Sequence, residues 1–237
     1  MGIYEFAGCV VSYEPLYGLL RRRMETYRSD TERQPDITLD GTKEDYEKLR
    51  KQYPHLSIEE CEYSCAGAEF YMKLLKHQGF MIHASAVEKE GKAYLFSAPS
   101  GTGKSTHAQL WRQTFKGEPI RIINDDKPAV CLQNGVFYAC GTPFSGKTDK
   151  NENRKAPIQG LCMLHRGKTN KIQKITSGEA LPLILPQTLF YGDEEETNLL
   201  LSFLDRFLQS VTVYKMECTM EEEAAKTAYF CMKGEEK

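Results

Sequence analysis

The stretch Ser97-Ala98-Pro99-Ser100-Gly101-Thr102-Gly103-Lys104-Ser105-Thr106 decides how this chain is read. An apolar run, Ala93-Tyr94-Leu95-Phe96, leads into it as a strand would, and Thr106-His107-Ala108-Gln109-Leu110-Trp111-Arg112 can continue as a helix. A strand that turns through glycines into a helix is the setting in which a loop can wrap an anion. Glycines let backbone N–H groups turn inward, and a helix N-terminus adds partial positive charge. On this reading Ser100, Gly101, Thr102, Gly103, Lys104, Ser105 and Thr106 cradle a triphosphate. Lys104 neutralises the β- and γ-phosphates, and the Ser105 hydroxyl sits on Mg²⁺. Ala98 stands where glycine is commoner in such loops. The competing reading is a glycine-rich turn without a ligand. The expected ligand is a nucleoside triphosphate, with Mg²⁺.

A second signal follows at Ile122-Ile123-Asn124-Asp125-Asp126. A short apolar strand ending in acid can bring a carboxylate beside a metal held by Ser105. Adjacent aspartates point in different directions, so one can hold metal while the other meets a nucleophile. An Asp-rich turn before Lys127-Pro128 is the structural alternative. His83, in the apolar run Phe80 to Val87, reads from its own surroundings as a core histidine. His107 reads as a helix-surface residue. Gly141-Thr142-Pro143-Phe144-Ser145-Gly146-Lys147-Thr148 can close over a phosphate with Lys147 as a point charge, or serve as an ordinary loop. In the polar stretch Asp149 to Lys155, read as mobile, Arg154 or Lys155 is a further candidate for substrate.

The 237 residues, 41% of them hydrophobic, fit one large domain or one domain with a small extra layer. A net charge of −2 offers no electrostatic argument for nucleic acid. The run Arg21-Arg22-Arg23 reads as a solvated helix face. No apolar run approaches the ~20 residues of a membrane-spanning helix, and no basic-then-apolar leader opens the sequence. The eight cysteines are scattered through apolar stretches and read as reduced core residues. Cys61 and Cys65 lack the further ligands that would complete a zinc site. The expectation is a soluble, cytoplasmic protein.

Residues 1–65 read as a β/α extension packed on a core of residues 66–237, the two forming one compact unit. Tyr4 to Tyr13 is strand-like, and Pro15 to Tyr27 helical. Thr42 with Asp45 makes a capping box for a helix to Tyr53, and Ile58 to Tyr63 alternates like a strand. Ala66 to His77 reads as a buried helix. Strands are predicted at Phe80–Val87, Lys92–Ser97, Ile120–Asn124, Ala129–Leu132, Val136–Cys140, Gly160–His165, Ile172–Ile175 and Val211–Met216. Two helices close the chain, one with the stripe Leu199, Leu200, Phe203, Leu204, Phe207 and Leu208, the other capped by Thr219 with Glu222. The turn Glu88–Gly91 is too short for a helical crossover, so its flanking strands should be antiparallel.

Together, His83, the loop Ser100–Ser105, Asp125-Asp126 and, more weakly, Gly160-Leu161 resemble one branch of the phosphate-binding-loop proteins. That branch holds the HPr serine kinase/phosphorylases and the ATP-dependent phosphoenolpyruvate carboxykinases. The resemblance covers roughly residues 79–166. It implies an α/β fold, with a mixed, strongly twisted sheet flanked by helices and the loop between strand and helix. It also implies that His83 lies near the metal and the transferring phosphate, that Asp125 is the base, and that Asp126 helps hold the divalent ion.

The sequence departs from the HPr kinases at Thr106, where they carry Glu, and at Ala156, Pro157 and Gln159, where their Glu-x-Arg-Gly signature would stand. These departures argue against HPr as acceptor and against phosphorolysis. The arginines that a carboxykinase needs for a dicarboxylate are missing too. The closer likeness is to small HPr-kinase-like proteins, some found with peptide-modifying enzymes. The implied activity is transfer of the γ-phosphate of ATP to a hydroxyl, on Ser or Thr of a small protein or peptide. A small-molecule kinase on the same scaffold and a nucleotide-dependent binding module without transfer remain open. HPr kinases are oligomers, so self-association is expected without a mapped interface.

Overall fold

The structure, a computed structural model, describes residues 1–189 and 192–234. The chain opens with a hairpin, β1 (Gly2–Phe6) and β2 (Cys9–Tyr13), turning through Ala7-Gly8. Helix α1 (Gly18–Met24) follows, and β3 (Ile37–Thr38) adds to β2 in parallel. Helices α2 (Lys43–Gln52) and α3 (Ile58–Leu74) complete this layer. The Thr42–Asp45 capping box opens α2 as the sequence predicts. Ile58–Tyr63, expected as a strand, is instead the first part of α3. Ser57 and Glu60 form a second capping box that starts the helix there, and it runs unbroken through residue 65. A division at 65/66 therefore falls inside a helix.

The main sheet contains β4 (Gly79–Met81), β5 (Ala84–Lys89), β6 (Lys92–Ser97), β7 (Arg121–Asn124), β8 (Ala129–Gln133), β9 (Val136–Cys140), β10 (Lys155–Arg166), β11 (Lys171–Lys174) and β12 (Val213–Cys218). Helix α4 (Lys104–Thr114) leaves β6 through the loop. Helices α5 (Ser177–Ile184), α6 (Glu194–Ser210) and α7 (Glu222–Met232) follow in the second half. The strand order is β4-β8-β9-β10-β6-β5-β7, with β12 on β10 and β11 on β12. The sheet is mixed. β10 runs parallel to β6 and β12, while β5 pairs antiparallel with β6 across the short Glu88–Gly91 turn.

Alternation along the strands builds two helix-covered faces. Ala93 and Leu95 of β6 join Leu161, Met163, Phe203, Leu204 and Phe207 under α5 and α6. Their neighbours Tyr94 and Phe96 join Cys162, Leu164, Trp111 and Ala228 under α4 and α7. A third cluster, with Tyr4, Phe6, Tyr27, Phe70, Tyr71 and Phe144, fastens the N-terminal layer to the sheet.

Three further elements differ from expectation. Phe80–Val87 is two strands broken at Ile82-His83, because β4 pairs with β8 while β5 pairs with β6 and β7. Helix α5 was not anticipated; its Thr176–Glu179 capping box starts it despite Pro182. Thr219 does not cap α7: its backbone N–H and hydroxyl donate to Asn170 Oδ1, and Glu221 stands at the cap without a side-chain bond. Among the described residues no helix is long and apolar enough to cross a membrane. All eight cysteines are free thiols, and no group of three metal-ligating His, Cys, Asp or Glu side chains occurs among the described residues.

Candidate functional site

The loop 98–103 joins the end of β6 to α4. Gly103, at the helix N-cap, has φ 118°, a backbone state that disfavours any side chain, and it supplies no side-chain cap to the first N–H groups of α4. Those donors at Lys104, Ser105 and Thr106 are where an anion gains most. The Lys104 Nζ is buried and donates to the Ala98 carbonyl at 3.0 Å. Burial lowers its pKa, against the opposing pull of Asp126 and Asp125. Two loop carbonyls, those of Gly101 and Thr102, accept from the Arg166 guanidinium, Nε lying 3.0 Å from Thr102 O. Within the loop the Thr102 N–H donates to the Pro99 carbonyl at 3.3 Å.

The second half of the site is the turn after β7. Asn124 Oδ1 accepts from the N–H groups of Asp126 (3.0 Å) and Lys127 (2.8 Å), and its Nδ2 donates to Thr142. This side chain is what makes the two aspartates diverge. Asp125 turns inward: Ser85 Oγ donates to its Oδ1 at 2.7 Å and Thr148 Oγ1 to its Oδ2 at 2.9 Å. Asp126 turns outward to His83 Nε2 at 3.2 Å and Lys127 Nζ at 3.3 Å. Burial raises the Asp126 carboxyl, but the His83 hydrogen bond and the Lys127 charge outweigh it and leave the group below its usual range. His83 itself occupies the break between β4 and β5. Its N–H donates to Gln187 O and its carbonyl accepts from Ser97 Oγ, which fixes the ring beside Asp126.

Ser100, Ser105, Asp125, Asp126, Lys127 and Lys147 share one cleft of about 800 Å³ with Leu19, Arg23, Leu56, Glu60 and Tyr63 of the N-terminal layer. The structure thus brings together the loop, both aspartates, His83 and Lys147. It does not bring Arg154. That side chain pairs with Glu88 at 2.7 Å and Glu152 at 3.2 Å and lines a separate pocket against β1 and β2, because the 149–155 segment folds back along β7. Thr106 is exposed on the first turn of α4.

His107, expected on the surface, is 2% exposed: its ring lies 4.4 Å from Phe96, and its Nε2 accepts from Trp111 Nε1. Burial pushes its pKa down to about 4. Arg23, expected on a solvated face, is nearly covered. It holds Asp149 Oδ1 at 3.1 Å and Gly146 O at 2.8 Å, and its guanidinium lies 4.8 Å from the Tyr63 ring centre.

Arg166, Ser85, Thr148 and Arg23 were not read from sequence as site residues. The signal for Arg166 is tertiary: β10 lies parallel to β6 with Met163 opposite Ser97, so both strands deliver their ends to the loop. Ser85 arrives through the antiparallel β5–β7 pairing that sets Ala86 opposite Asn124. The residues present suit Mg²⁺, which takes few protein oxygens and completes its shell with phosphate and water. Ser105 and the outward Asp126 supply such oxygens in the shared cleft.

No family model matches this chain, and no curated protein matches it. Among solved structures, it is similar to the Hpr(Ser) kinase/phosphatase from Coxiella burnetii, with 11% identity and a TM-score of 0.36, over 65% of this chain and 99% of that one.

Proposed function

We propose that this protein is an ATP- and Mg²⁺-dependent kinase that transfers the γ-phosphate to a hydroxyl, on Ser or Thr of a small protein or peptide. The observation that carries the reading is the single cleft in which Ser100 and Ser105 of the glycine loop stand with Asp125 and Asp126. The loop and the resemblance of its sequence support the nucleotide; the inward Asp125 supports a base; the outward Asp126, with Ser105, supports a metal position.

Catalysis is positioning plus charge neutralisation. Backbone N–H groups from Ser100 to Ser105 hold the triphosphate, and Lys104 leaves the Ala98 carbonyl for the β- and γ-phosphates. Mg²⁺ supplies neutralisation of the charge that builds on the phosphate oxygens. Asp125, oriented by Ser85, takes the proton of the attacking hydroxyl. His83 holds Asp126 in place. Lys147, exposed at the cleft wall, meets the phosphate or acceptor as a point charge.

The test has two steps. Calorimetric titration of ATP with Mg²⁺ should give binding in wild type and none in Lys104→Ala; no binding in wild type removes the reading. Asp125→Asn should then bind ATP and fail to add phosphate to a Ser-containing peptide panel followed by intact mass. Equal transfer by mutant and wild type removes Asp125 as base.

A further inference from the structure

Thr148 sets a hydroxyl against Asp125. Its Oγ1 donates to Asp125 Oδ2 at 2.9 Å, within the range a general base requires of the proton that it abstracts. The residue is exposed and lines the same cleft as Ser100 and Ser105. The other Asp125 oxygen already has Ser85, so this buried carboxylate is not left bare without Thr148.

The turn that presents Thr148 is pinned rather than loose. Gly146 has φ 69°, and a Cβ there would come within 2.7 Å of the Asp126 side chain, so glycine is what brings the chain this close to Asp126. The Gly146 N–H donates to Tyr63 Oη at 2.9 Å while its carbonyl takes Arg23. On the far side of Thr148, Asp149 has φ 52° and is held by Arg23 and by Ser145 Oγ at 3.2 Å. Gly146, two residues before Thr148, and Asp149, the residue after it, are thus held by the N-terminal layer and the loop itself, and the hydroxyl donates to Asp125.

We propose that Thr148 is an intramolecular phosphoacceptor, a site of self-phosphorylation by a nucleoside triphosphate bound at the glycine loop. The proposal rests on the kinase reading and names a substrate of that same site. Thr148 Oγ1 attacks the γ-phosphorus, and the Oγ1–P bond forms as the bond from that phosphorus to the bridging oxygen of the β-phosphate breaks. The bond's electron pair leaves with the nucleoside diphosphate, and the hydroxyl proton passes to Asp125 Oδ2. The product phosphothreonine carries the same sign of charge as Asp125 and Asp126 and is pushed off the base, so each molecule accepts one phosphate and then clears its own cleft. Lys147, the preceding residue, offers it a counter-charge.

The experiment is incubation of the full chain with ATP and Mg²⁺ and no added acceptor, followed by intact mass and tandem mass spectrometry. One phosphate should appear on Thr148, with a half-time independent of protein concentration. Thr148→Ser should keep the gain, while Thr148→Val and Asp125→Asn should lose it. The proposal is overturned if wild type binds ATP by calorimetry, or phosphorylates a Ser peptide, yet stays unmodified at Thr148; the kinase reading then stands without it. A half-time that shortens as protein concentration rises overturns the intramolecular route. Absence of ATP binding overturns both readings at once.

Discussion

His107 titrates at an ordinary 6.5 when unfolded and at about 4 in the folded protein, where burial disfavours its charge. Between those values the unfolded chain binds more protons, so this stability is complete above pH 6.5 and is lost as pH falls toward 4. The loss is on the order of 3 kcal/mol. Urea unfolding of wild type and His107→Gln across that window should show a shallower pH slope in the variant, which can still accept from Trp111. Identical slopes would mean that the imidazole is not the group responsible. Arg166 makes a second residue-scale prediction. Arg166→Ala frees the carbonyls of Gly101 and Thr102 and should weaken ATP binding about fivefold, roughly 1 kcal/mol for an exposed charge-assisted clamp. Unchanged affinity by calorimetry would make the contact incidental. The glycine loop and the aspartate pair could be read from local sequence because their spacing is set by a few consecutive bonds. Arg166 and Ser85 could not, since each reaches the site through strand pairing that only the folded sheet defines.

Among the elements, α3 shows what a short window misses. Ile58 to Tyr63 alternates like a strand, but Ser57 and Glu60 satisfy the first orphan N–H groups and commit the segment to helix. Ser57→Ala should cost about 1 kcal/mol in urea unfolding, with Ser57→Asp close to wild type. A loss below a few tenths would show that packing alone sets the start of α3. The same helix also supplies a cap to another. Buried Glu62 accepts from the Leu16 N–H at 2.6 Å, the Tyr17 N–H at 3.1 Å and the Tyr13 hydroxyl at 3.1 Å. Tyr17, at the N-cap of α1, makes no side-chain cap bond of its own, so α1 is anchored from a distance. No pattern within Pro15–Tyr27 could have announced that partner. The break between β4 and β5 is likewise tertiary: eight residues that read as one apolar strand serve two different sets of neighbours.

At the scale of the molecule, the cleft belongs to both layers. Leu19, Arg23, Leu56, Glu60 and Tyr63 form one wall, and the loop, the aspartate turn and the 145–148 turn form the other. The mixed sheet with flanking helices is what the family resemblance implies, and the antiparallel β5–β6 pair follows from a short turn as the sequence itself predicts. The contribution of the N-terminal layer was hidden because its cleft residues are spread over α1, the 53–57 turn and α3. A fragment of residues 66–237 would cut α3 and strip Tyr4, Phe6 and Tyr27 from Phe70, Tyr71 and Phe144. Such a fragment should show no cooperative unfolding transition, where the full chain shows one. A cooperative transition in the fragment would make the layer a detachable addition.

Trp111 is the sole tryptophan of the chain. It is fully buried among Tyr94, Phe96, Phe115 and Tyr229, with its ring nitrogen donating to His107. An indole so enclosed emits at the short wavelengths of a dry interior. Because it rides on the helix that leaves the glycine loop, its fluorescence is an optical gauge set into the site by the fold itself. Light from this one side chain should change when the loop takes up a ligand, and again when acid places a proton on the imidazole beside it.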